Sequence, residues 1–98
     1  MNDYFVIEPC KTSNALEIKL KNRKINMRRA GRAFSSLGLV AATTPVVLLA
    51  KVRQYDISVY ASGRMMVKGE SRLDSEDVRR LAREMLDALE KESAIAER

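Results

Sequence analysis

The stretch from Tyr55 to Glu92 constrains the fold most, because a strand period and a helix period follow one another in it. The first part alternates about Ser62-Gly63, where glycine supplies the positive φ of a tight β-hairpin turn. One alternate set is apolar and is predicted to face the core: Ile57, Val59, Met65 and Val67. The other set is amphipathic and is predicted to face outward: Ser58, Tyr60, Ser62, Arg64, Met66 and Lys68.

A long amphipathic helix is predicted after this hairpin. Asp74 is expected to cap it, and the acidic residues of Ser75–Asp77 suit the positive end of a helix dipole. Apolar residues recur at the helical period and are predicted to form its buried stripe: Val78, Leu81, Ala82, Met85 and Leu89. The remaining residues, 92–98, are predicted to fray.

The first part of the chain adds two strands and a second helix. Alternation predicts strands at Asp3–Glu8 and Ala15–Lys21, which are expected to pair as a hairpin. Asn26 is predicted to cap a helix that ends at Gly38, where a left-handed residue is expected.

Two further strands are predicted before the hairpin, at Leu39–Ala42 and Val46–Arg53. The second is almost continuously apolar, which predicts a central strand with both faces covered at one end at least. The order of elements predicts an α+β fold: a two-layer arrangement with an antiparallel sheet and both helices packed on one face. The 98 residues are predicted to form a single domain, 1–98.

Several classes of protein are disfavoured by composition. The chain has no histidine and one cysteine, which excludes histidine catalysis and a Cys/His zinc site, so we predict a non-catalytic protein without metal or cofactor. The most apolar window, Leu37–Ala50, is short and interrupted by Gly38 and Pro45, and no signal peptide is visible. We therefore predict a cytoplasmic protein that does not associate with membranes.

Positive charge is concentrated in one segment. The formal net charge is +5, and residues 19–32 contain seven Lys and Arg residues without an acid. Such a segment favours an anionic partner, which is nucleic acid, an acidic protein or a membrane surface, although a solvated basic face without a partner has the same pattern.

The segment Ile57–Leu89 resembles one repeat of the TATA-box binding protein family. The resemblance lies in a strand ending in an aromatic residue, then Ser-Gly, a basic residue, a strand closing on Gly69, and a long helix. It implies that the open face of the sheet is the functional one and contacts DNA. The family has two repeats where this chain has one, so a complete saddle would require a homodimer.

Two functions follow from these observations. The first is nucleic-acid binding through the open sheet face and the basic segment, with these candidate residues: Tyr60, Ser62, Arg64, Met66, Lys68, Lys19, Lys21, Arg28, Arg29 and Arg32. The second is protein–protein interaction or homodimerisation through the same face, without nucleic acid. Whether the basic helix and the sheet face serve one ligand is left open by the sequence.

Overall fold

Six antiparallel strands form the main sheet of the protein. The computed structural model describes residues 5–9, 15–21, 23–69 and 75–97. The helices are α1 (Met27–Leu37) and α2 (Ser75–Lys91). The strands are β1 (Phe5–Pro9), β2 (Ala15–Leu20), β3 (Arg23–Ile25), β4 (Leu39–Thr43), β5 (Val47–Val52), β6 (Tyr55–Tyr60), β7 (Arg64–Lys68) and β8 (Ile95–Glu97).

The strand order in the main sheet is β1-β2-β7-β6-β5-β4, while β3 and β8 form a separate two-stranded sheet. Both helices pack on one face of the main sheet, where Phe34 of α1 and Met85 of α2 join the buried core with Ile18 of β2. This arrangement confirms the predicted α+β, two-layer fold. The opposite side of the main sheet, called the open face below, is not covered by either helix.

The hairpin β6–β7 follows the predicted alternation. Ile57 pairs with Val67 and Val59 with Met65, and all four side chains are buried against the helices. Gly63 has φ +101° in the connecting turn, as the Ser62-Gly63 pattern predicts. The β1–β2 hairpin is likewise confirmed, since these strands pair antiparallel.

Helix α1 begins as predicted but ends differently. The side-chain oxygen of Asn26 accepts a hydrogen bond from the Arg29 amide at 3.1 Å, which confirms the cap. Gly38, however, has φ −174°, which is extended rather than left-handed, so that prediction is wrong. Glycine is required there because a Cβ would overlap the backbone carbonyl of Lys51. The predicted cap of α2, Asp74, lies outside the described residues.

The prediction that the fifth strand is covered on both faces is also wrong. Burial alternates along β5, with Leu48 and Ala50 in the core and Leu49 43% exposed on the open face. The continuous apolar sequence of β5 therefore contains two sets of side chains. One set faces the core, and the other lies on the open face, which the helices do not cover.

Residues 92–97, which the sequence predicts to fray, form a turn and the short strand β8. Ile95–Glu97 pair with Arg23–Ile25, and Ala94 is fully buried. The Asn26 amide also donates to the Ala94 carbonyl at 2.6 Å. Because the short strand β3 is not part of the main sheet, its backbone groups form hydrogen bonds with β8 instead.

Candidate nucleic-acid interface

Several chain segments meet at one end of the main sheet. The Leu20 amide donates to the Gly63 carbonyl at 2.9 Å, and the Ile25 amide donates to the Ala61 carbonyl at 3.0 Å. The Ala61 amide in turn donates to the Val46 carbonyl at 3.0 Å. These bonds hold the β6–β7 turn, the start of α1 and the β4–β5 turn next to one another.

We call this region the basic end, because it gathers most of the acid-free segment. Its cationic residues are Lys19, Lys21, Arg23, Lys24, Arg28, Arg29, Arg32 and Arg64. Segments that the sequence separates by some forty residues are thus neighbours in the fold.

A groove with a volume of about 840 Å³, here called the arginine groove, lies at the start of α1. One wall is helical and contributes Arg28, Arg29 and Arg32. The facing wall is the end of β4 and its turn, with Thr43, Thr44 and Pro45, while Ile25, Asn26 and Met27 complete the lining. The groove therefore presents three guanidinium groups beside two hydroxyl-bearing residues.

The electrostatics at the start of α1 favour an anion. The first turn of α1 contains no acidic residue, whereas the first turn of α2 contains Glu76 and Asp77. Arg28 and Arg29 instead place positive charge at the positive end of the helix dipole, an arrangement that costs about 0.3–1 kcal/mol per charge. A bound anion removes this unfavourable interaction.

The three arginines are held to different degrees. Arg29 donates from Nη1 to the Ser93 carbonyl oxygen at 3.2 Å, which ties it to the end of α2. Arg28 and Arg32 are exposed, and neither forms an ion pair with another residue in the described part of the chain.

On the open face, the basic end has a compact aromatic and charged group. Arg64 donates from Nε to Oε2 of Glu17 at 2.5 Å, and its guanidinium lies 5.5 Å from the ring centroid of Tyr60. Lys19 is the register partner of Arg64 on the neighbouring strand. Arg64 thus contacts both Glu17 and the ring of the half-buried Tyr60.

Two ion pairs lie at the opposite end of the sheet. We call it the far end; it contains the β5–β6 turn and the end of β7. Arg53 lies 2.5 Å from Glu84, whose hydrogen bond and negative charge raise the pKa of Arg53 above its ordinary value. Lys51 lies 3.8 Å from Asp56 on the neighbouring strand.

The structure divides the predicted site residues into two groups. Most lie at the basic end: Tyr60, Ser62, Arg64, Lys19, Lys21, Arg28, Arg29 and Arg32. Met66 lies further along β7, opposite Ser58 and Glu17. Lys68 lies opposite Asp56 at the far end, about 13 Å along the strand from Arg64 at the usual rise per residue. Arg28, Arg29 and Arg32 lie on the helix side of the sheet, whereas Tyr60 and Arg64 lie on the open face.

Sequence reasoning missed Thr43 and Thr44 as lining residues of the arginine groove. Their only sequence signal is turn chemistry, which places them in a loop but says nothing about which helix the loop faces.

The described part of the chain shows neither a metal-binding cluster nor a membrane-spanning helix. Among the described residues, no three or more His, Cys, Asp or Glu side chains are grouped so as to hold a metal ion. Within the same ranges, no helix is both long and apolar enough to span a bilayer.

Comparison with known proteins gives no match, whether the chain is set against protein-family models, curated proteins or solved structures. Because a fold class does not specify a function, we infer the function from the residues of the basic end.

Proposed function

We propose that this protein is a non-catalytic module that binds the phosphate backbone of nucleic acid through its basic end. The observation that supports this most strongly is the arginine groove, where Arg28 and Arg32 are exposed at a helix start that lacks acidic residues. The sequence resemblance of Ile57–Leu89 to one repeat of the TATA-box binding protein family implies the same class of ligand, with the contact on the open face rather than at α1.

Each group at the basic end has a chemical role in this proposal. Arg28 and Arg32 donate paired N–H groups to phosphate oxygens, a geometry that guanidinium provides and ammonium does not. The start of α1 adds favourable dipole interaction with the same anion. Lys19 and Lys21 act as point charges along the adjoining backbone.

Tyr60 supplies the contact to a base. Its ring lies at the end of β6 and contacts Arg64 on the neighbouring strand. Stacking of one base on an aromatic side chain contributes about 1–3 kcal/mol and depends little on sequence. The module is therefore expected to bind nucleic acid with weak sequence preference.

Equilibrium titration with labelled duplex DNA, single-stranded DNA and RNA tests this function. If four phosphates are neutralised, raising salt from about 50 to about 200 mM should weaken duplex binding roughly 100-fold, because each contact releases condensed counterions. Absence of binding to all three ligands at the lower salt concentration would reject the proposal. Binding that does not respond to salt would show that phosphate contacts are not its basis.

A second candidate function is a protein-interaction module that uses the open face. The observation in its favour is that large hydrophobic side chains are exposed there and at its edge, with Leu39 70%, Val46 67% and Leu49 43% accessible. This function predicts a stable complex with a protein partner and no nucleic-acid binding at low salt, so the same titration separates the two candidates.

A further inference from the structure

The chain between β2 and α1 lies against the end of the β6–β7 hairpin. The Arg23 carbonyl is so close to Gly63 of the hairpin turn that a Cβ on Gly63 would overlap it. The Ile25 amide donates to the Ala61 carbonyl of the same turn at 3.0 Å. This part of the chain therefore lies between the two sides of the main sheet, at the end where the open face and the arginine groove come closest.

Positive charge continues around this end of the sheet. We call residues 19–32, which contain no acid, the basic path. Lys19 lies opposite Arg64 on the open face. Arg28 and Arg32 line the arginine groove on the helix side. Between these two ends, the basic path contains three further cations, of which the two lysines are exposed and the arginine is half-buried: Lys21, Lys24 and Arg23.

Tyr60 lies beside the open-face end of the basic path. It is the register partner of Arg64 and is half-buried, so part of the side chain is accessible to a ligand. A base can stack on an aromatic ring when its own face is uncovered, as in a single strand and not within a duplex. A positively charged track beside an aromatic side chain is the arrangement by which many proteins hold single strands without reading their sequence.

We propose that the arginine groove and Tyr60 serve one ligand, a single strand of nucleic acid that follows the basic path around the end of the sheet. The inference rests on the proposed function, because it names the form of nucleic acid that the basic end prefers. The phosphates lie along the basic path, and one base stacks on Tyr60.

The size of the protein favours a single strand over a duplex. The principal extents of the chain are 31 × 28 × 21 Å, so a ligand that contacts both sides of the sheet must change direction within this distance. Duplex DNA has a persistence length of about 150 base pairs and does not bend so sharply without a large cost, whereas a single strand does. A duplex is therefore expected to bind through phosphate contacts alone.

Fluorescence anisotropy at about 0.15 M salt tests this inference with a labelled single strand of about 12 nucleotides, as DNA and as RNA, and with the duplex of the same sequence. The single strand should bind at least about tenfold more tightly than the duplex. Tyr60→Ala should weaken single-strand binding by about 5- to 150-fold, which corresponds to the loss of one stacked base, and duplex binding by less than about twofold. Arg32→Gln should weaken the binding of both ligands.

Two further variants separate stacking from a change in fold. Tyr60→Phe keeps the aromatic ring and should recover most of the affinity that Tyr60→Ala loses. Leu39→Ala truncates an exposed side chain opposite Lys51, at the far end, and should leave the affinity for both ligands unchanged. Circular dichroism of each variant checks that it folds.

Duplex binding that is as tight as single-strand binding would overturn the inference, and so would an equal effect of Tyr60→Ala on both ligands. With the strand in excess, two single strands per protein would also overturn it, because one strand is expected to occupy both surfaces. These results would leave phosphate binding at the arginine groove intact. Absence of binding to every ligand at low salt would instead reject the proposed function, and this inference with it.

Discussion

Replacing Arg28, Arg29 and Arg32 by glutamine is expected to weaken binding to duplex DNA roughly 500-fold at about 0.1 M salt. The estimate assumes that each arginine neutralises one phosphate, which contributes about 0.9 to the logarithmic salt dependence of the binding constant. The slope of log K against log salt should accordingly become shallower by about 2.7. Fluorescence anisotropy with a labelled duplex at several salt concentrations measures both quantities.

The matched control removes three charges from elsewhere on the protein. Arg79, Arg80 and Lys51 are exposed, and glutamine at all three lowers the formal net charge of +5 by the same amount. Arg79 lies twelve residues before the end of α2, about 18 Å along the helix from the turn that contacts α1. This control should lose only a few-fold in affinity. Equal losses in both variants would show that net charge, rather than the arginine groove, determines binding.

Phe34→Ala is expected to lower the free energy of unfolding by about 3–5 kcal/mol. Phe34 is fully buried and is among the largest side chains of the core, where it packs α1 onto the sheet. Its truncation leaves a cavity in addition to losing buried apolar area. Urea denaturation followed by circular dichroism should show a lower midpoint with an unchanged m-value.

Ser35→Ala is the control for this substitution, since it changes an exposed position one residue along the same helix. It should change the unfolding free energy by no more than about 0.5 kcal/mol, as is usual for surface positions. If Phe34→Ala also changed stability by less than about 1 kcal/mol, α1 would not be packed on the sheet, and the arginine groove could not have its described shape.

The local elements of this fold were predictable because they depend on periodicity. Alternation alone assigned Ile57 and Met65 to the core, and the structure confirms this. The structure of residues 92–97 was not predictable, because the pairing of β8 with β3 joins segments some seventy residues apart. Gly38 was misjudged for a similar reason: the Lys51 carbonyl that excludes a side chain there belongs to another strand.

The candidate site could likewise be predicted only as far as local sequence patterns extend. Alternation correctly predicted that Arg64 and Lys68 share the open face, but it gives no weight to distance along a strand, so it grouped residues from opposite ends. Arg28 and Arg32 are four residues apart on α1 and therefore share one face of it. Their proximity to the β6–β7 turn depends on the hydrogen bond between Ile25 and Ala61, which no local pattern indicates.

The most direct test of the proposed interface is a map of backbone amide chemical shifts during titration of ¹⁵N-labelled protein with duplex DNA. The proposal predicts the largest changes at residues 19–32 and 60–64, which form the basic end, with residues 51–56 at the far end unaffected. Changes centred on residues 51–56 and Lys68, with residues 23–32 unperturbed, would contradict it.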